Sequence, residues 1–152
     1  MNKTKILSVT VFSILHLIFY GQELVYQLDL DSVKKDQINV ILKVVDFHSN
    51  SLTFRMAKSV PGDYEWASYY KYVAHFMCTD KDGNKLDYKK IDEASYYIEN
   101  ASSLSQISYV IKSTWSKGKK SGVAPTVGTH FVPNEVFLFN NAAVFGYFEG
   151  VD

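Results

Sequence analysis

Cysteine, proline and net charge are all scarce in this sequence, and each scarcity removes a class of explanation. Cys78 is the single thiol in 152 residues, so no internal disulfide framework is available and stability has to come from a packed core. Three prolines, 47% apolar residues and 21% charged ones exclude a Pro-rich linker or a charge-swollen disordered chain. Sixteen basic residues balance sixteen acidic ones, so there is no electrostatic footprint for nucleic acid. The basic cluster Lys117, Lys119 and Lys120 lies in a Gly/Ser-containing stretch without interleaved aromatics and reads as a solvated loop. Long apolar runs are also missing, apart from Ile6 to Tyr20. That run falls short of the roughly 20 residues that span a bilayer.

Lys3 and Lys5 precede the run, which is the arrangement of a secretory signal peptide over residues 1–21. A retained anchor is the alternative. Cleavage after Gly21 would start the mature chain at Gln22, with no cysteine there for lipid attachment and no stable membrane span. The expected destination is the periplasm or the outside. Loss of Lys3 and Lys5 leaves fourteen basic residues against sixteen acidic ones, a net charge near minus two.

Aromatic residues are abundant: eleven tyrosines and ten phenylalanines favour pleated, half-buried surfaces over helices. Residues 22–152 have the length of one domain. Leu24 to Leu30, Ile38 to Val45 and Ser51 to Met56 read as strands, the last running into the Pro61-Gly62 turn. Pro61 presets φ and Gly62 accepts a left-handed conformation, as a type II turn requires. Tyr64 to Tyr72 fits neither period, so an irregular aromatic segment and a helical turn both stay open. Val73 to Thr79 and Lys85 to Ile91 predict a hairpin around Asp80 to Asn84, with Gly83 supplying positive φ. Ser95 to Glu99 and Ile107 to Trp115 continue the strands, Ser116 to Gly128 reads as an exposed loop, and Val136 to Phe148 is a last apolar stretch. The expected fold is all-β, an antiparallel β-sandwich-like domain.

Motif chemistry is sparse. No His-Glu-x-x-His, Gly-x-Ser-x-Gly, P-loop or Gly-x-Gly-x-x-Gly is present, so zinc peptidase, acyl-transfer and nucleotide readings lose their usual support within this chain. His16, His48, His75 and His130 are scattered without ligand spacing, and His16 falls in the signal segment. His75 and Cys78 are three apart, which on a strand sends them to opposite faces and argues against a nucleophile–base pair.

More specific is an ordered set of short blocks. Phe54-Arg55-Met56, Val60-Pro61-Gly62-Asp63-Tyr64, Tyr72-Val73-Ala74-His75-Phe76 and Asp82-Gly83-Asn84-Lys85-Leu86 come first. A closing Phe137-Leu138-Phe139-Asn140-Asn141-Ala142-Ala143-Val144-Phe145-Gly146-Tyr147, with Glu149-Gly150, follows them. In this order they resemble the amino-terminal domain of the glycyl-aminopeptidase family of zinc metallopeptidases. The resemblance covers essentially all of residues 22–152.

The resemblance implies a non-catalytic accessory domain, or a fragment of one. In complete family members that domain precedes a thermolysin-like catalytic domain, and often a PDZ domain, which this chain lacks. It therefore assigns no catalytic residue, metal ligand or cofactor here, and zinc is expected only in the absent catalytic domain. The partner it implies is such a catalytic domain, in cis or in trans. The chain ends where the resemblance implies further strands, so a truncated, split or degenerate product is expected. Under the same reading Tyr64, Trp66, Tyr69, Tyr70, Phe139, Asn140, Phe145 and Tyr147 form the expected interdomain face, with Trp66 and Tyr69 replaceable by serine at little cost in stability. The alternative is an independent secreted β-sandwich module binding peptide or glycan.

Overall fold

The computed structural model describes residues 23–31, 33–34, 36–45, 47–60, 67–115 and 122–150. The signal segment, the Pro61-Gly62 turn, Tyr64, Trp66 and the lysine cluster at 117–120 lie outside the described residues.

Strand alternation in the sequence becomes two antiparallel sheets. β1 (Glu23–Leu28), β2 (Gln37–Val45), β8 (Gln106–Lys112), β4 (Val73–Thr79) and β5 (Lys85–Leu86) form one sheet, in that spatial order. β11 (Tyr147–Phe148), β3 (Ser51–Arg55), β7 (Ser95–Glu99) and β6 (Tyr88–Lys90) form the other. β9 (His130–Val132) and β10 (Val136–Leu138) make a separate hairpin, and α1 (Asn141–Val144) is a single helical turn capped by the Asn140 side chain. Every pairing is antiparallel.

The period of two decides which residues go inside. Ile38, Val40, Leu42 and Val44 of β2 and Ile107, Tyr109 and Ile111 of β8 point from the first sheet toward Leu52, Phe54, Tyr96 and Ile98 of the second. Aromatic rings join the two layers: Phe54 lies 5.8 Å from Tyr109 and 5.6 Å from Phe76 between centroids, and Phe76 stacks on Tyr96 at 3.9 Å. A second, smaller cluster gathers Val60, Ala67, Tyr69, Tyr72, Val123 and Ala143.

Three local features depart from the sequence reading. Lys85 to Ile91 is not one strand: β5 pairs with β4 and β6 pairs with β7, so the chain passes from one sheet to the other at Asp87. Ile107 to Trp115 stops at Lys112, because Ser113 and Thr114 turn their side chains onto the Thr129 carbonyl. Residues 116–128 are not wholly an exposed loop either, since Val123 and Gly128 are buried and Pro125–Val127 is a 3-10 turn.

β4 carries a bulge between Ala74 and Met77, with His75 at φ 52°. Three residues on β4 there match two on β8, which reverses the side-chain parity along the strand. Val73 and Cys78 consequently both sit opposite inward-facing residues of β8, Ile111 and Ile107.

Candidate functional site

The stretch from Asn140 to Phe148 ties the two sheets together. Tyr109, buried on β8, donates its hydroxyl to the Val144 carbonyl at 2.8 Å, and Tyr26 on β1 donates to the Gly146 carbonyl at 2.7 Å. Phe145 packs on the Tyr26 ring at 4.8 Å, and burial raises both tyrosine pKa values well above the usual range. Two residues later Tyr147 and Phe148 pair with Arg55 and Phe54 in the other sheet. Arg55 then grips Glu149 through Nε and Nη2, at 2.9 and 2.7 Å.

The described residues of the expected interdomain face do not form one surface. Tyr69 is 0% exposed and donates its hydroxyl to the Val127 carbonyl at 2.7 Å, so it is a core residue; this corrects its assignment to a face. Of the described aromatics that suggested an interface, Tyr69 builds the second core cluster, while Tyr70, Phe139 and Phe145 pack against the main one. Phe139 packs on Phe131, Phe145 packs on Tyr26, and Asn140 accepts from the Ala142 amide as a helix cap. Tyr70 is partly buried against the main core, while Tyr147 is 51% exposed.

Gly83 has φ +82°, inside a turn whose Asp80 carboxylate accepts from the amides of Asp82 and Asn84. The Asn84 side chain and those amides hold the Asp80 carboxyl below its ordinary value, and the Ala94 amide does the same for Asp92. Depressed folded-state values make both groups contribute stability above the unfolded carboxylate range and lose it as pH falls through the lower folded values. An Asp92→Asn variant should therefore be less stable than the parent near neutrality and show a shallower acid limb, the two curves converging below about pH 4. Parallel acid limbs in urea titrations would contradict this assignment.

No group of three His, Cys, Asp or Glu side chains among the described residues could hold a metal ion. His48 and His75 are exposed and border different grooves, and His130 stacks on Trp115 at 4.9 Å with its Nδ1 3.2 Å from the Ser113 hydroxyl. The described residues thus do not fit a zinc site. Cys78 is 0% exposed, and burial pushes its thiol up to about 12, which leaves it protonated and unreactive at neutral pH. The groove bordered by Val44, Phe47, His48, Asp80 and Leu104 is open and about 630 Å³.

The Trp115 platform depends on a close approach by Gly128. A Cβ there would lie 2.4 Å from Thr114 Oγ1 and 2.9 Å from Trp115 Nε1, which donates to the Pro125 carbonyl. Gly128→Ala should cost about 1–3 kcal/mol and shift the Trp115 emission, because Thr114 and Trp115 must both move. Unchanged emission and melting would show that the loop absorbs the methyl group.

Comparison with known proteins agrees with this architecture. An aminopeptidase N family protein from Idiomarina loihiensis has a solved structure that superposes with a TM-score of 0.65 at 16% identity. The match covers 84% of this chain and 20% of that chain, so this protein spans about a fifth of the length of the relative, and the likeness bears on the fold. No curated protein sequence matches the chain. The model of the Peptidase M61 N-terminal domain matches residues 25–152, from β1 through the segment that bridges both sheets. The chain belongs to the Peptidase M61 N-terminal domain family.

Proposed function

We propose that this protein is the non-catalytic amino-terminal accessory domain, or a fragment of one, of an exported glycyl-aminopeptidase-type metallopeptidase. It packs against or supports a catalytic domain carried elsewhere, in cis or in trans. The observation that carries the reading is the family match across residues 25–152, which takes in both sheets and both core clusters. An amino-terminal peptidase domain has no catalytic role of its own in this reading, and its worth to the enzyme is as a rigid surface. Zinc belongs to the catalytic domain. Export rests on Lys3, Lys5 and the apolar run Ile6 to Tyr20.

The test is co-elution of residues 22–152 with the polypeptide of the same genome that carries a His-Glu-x-x-His sequence. A complex of one chain with one peptidase is expected. Separate elution, together with specific retention on immobilised peptides or glycans, would favour a stand-alone binding module instead.

A further inference from the structure

The two sheets differ on the faces that turn away from the core. On the four-stranded sheet that face is mainly polar: Ser51, Thr53 and Arg55 lie beside Tyr97, Glu99 and Lys89 by register, with half-exposed Tyr147 opposite Arg55. Its charges are paired, Arg55 with Glu149 and Lys89 with Glu99. The five-stranded sheet is different. Register places Ile41 of β2 beside Ser108 of β8 and Met77 of β4, and Asn39 beside Val110 and Ala74. Val25 of β1 stands one pair along, opposite Lys43.

Val25, Ile41, Ala74, Met77 and Val110 are each only partly buried, and none packs into either core cluster. As direct or diagonal neighbours they make an apolar stripe across four strands, with Gln27, Asn39 and Ser108 set among them. Lys43, Lys85 and Lys112 rim it, all exposed, against one carboxylate that register places on the same face, Glu23 of β1. An apolar centre within a mainly basic rim is the anatomy of an interface, and it selects a partner with an apolar centre and a carboxylate-rich rim.

We infer that the outward face of the five-stranded sheet is the docking surface for the catalytic part of the peptidase, which meets it with apolar side chains ringed by Asp and Glu. This rests on the accessory-domain reading and adds the side of the domain that is used. The occupant follows from charge complementarity and from the relative's length, since four-fifths of that chain lies outside the matched region. The other sheet, with its charges already paired, offers no such selection.

Site-directed photocrosslinking separates the two claims. Benzoylphenylalanine is placed either at Lys43, on the rim of the stripe, or at Lys89, on the outward face of the other sheet. Both positions are exposed, so the fold tolerates the probe. The purified chain is then mixed with the purified His-Glu-x-x-His polypeptide from the same genome. Crosslinking from position 43 and not from position 89 is expected. Combining Val110→Ser with Lys112→Glu should lower the yield roughly tenfold, with melting unchanged. Crosslinking from position 89 alone, or equally from both, overturns the docking face and leaves the accessory reading standing. Crosslinking from 43 only to a second copy of this chain overturns the peptidase as occupant. No crosslink to the peptidase from either position overturns both claims.

Discussion

Replacing Gly146 with alanine is expected to be the most damaging single-methyl change in the described part of this protein. A Cβ at that position would lie 2.2 Å from Phe54 Cζ and 2.7 Å from the Arg55 carbonyl oxygen. Neither neighbour can yield easily. Phe54 is fully buried, with rings of Phe76, Tyr109 and Phe148 around it, and the Arg55 carbonyl belongs to a strand paired on both sides. The Gly146 carbonyl is also held by the Tyr26 hydroxyl, so the segment cannot lift without breaking that bond. Overpacking of this kind costs about 1–3 kcal/mol where a core can adjust and more where it cannot. The loss should reach or exceed the top of that range, detected as a lowered urea midpoint with an unchanged slope. A midpoint within error of the parent would show that β11 is free to move away from β3.

Tyr69→Ser is the second large effect, and its sign is opposite to what the sequence suggests. With the side chain fully buried among Val60, Ala67, Tyr72, Val123 and Ala143, truncation leaves a cavity and strands the Val127 carbonyl that the hydroxyl satisfied. Large aromatic truncations in cores cost about 3–5 kcal/mol. Tyr69→Phe should recover most of that, leaving a deficit of about 1–3 kcal/mol for the unpaired carbonyl. Should Tyr69→Ser melt like the parent, the second cluster would contribute nothing to the fold, and Tyr69 would return as a surface candidate.

These two positions show what local sequence could and could not reveal. β2 and β8 were legible because seven or more residues alternate cleanly around Ile38, Val40 and Leu42, and around Ile107, Tyr109 and Ile111. β5 and β6 were not, because two- and three-residue strands carry too few alternations to expose a change of sheet at Asp87. The bulge at His75 defeats parity outright, since one inserted residue reverses every side chain beyond it. Val123 is a lone apolar residue in a Gly-, Lys- and Ser-rich stretch, and no period can mark a lone residue as buried.

Tyr69 was misplaced for a related reason. Tyrosine-rich segments look alike whether they build a second core or a docking surface, and only packing tells Tyr69 from Tyr147. Family membership, by contrast, was legible from the order of short blocks, because block order carries information that no single block does. The apolar stripe outside the five-stranded sheet needed register. Ile41, Val110 and Met77 are far apart in sequence, and antiparallel pairing across β2, β8 and β4 brings them together.

The central claim is that this chain carries no catalytic site and serves a peptidase that does. It is tested most directly by measuring zinc content and peptidase activity of purified residues 22–152, alone and mixed with the catalytic polypeptide. The account predicts a metal-free, inert chain that binds or activates that polypeptide. Stoichiometric zinc, or peptide cleavage by the chain alone, would contradict it.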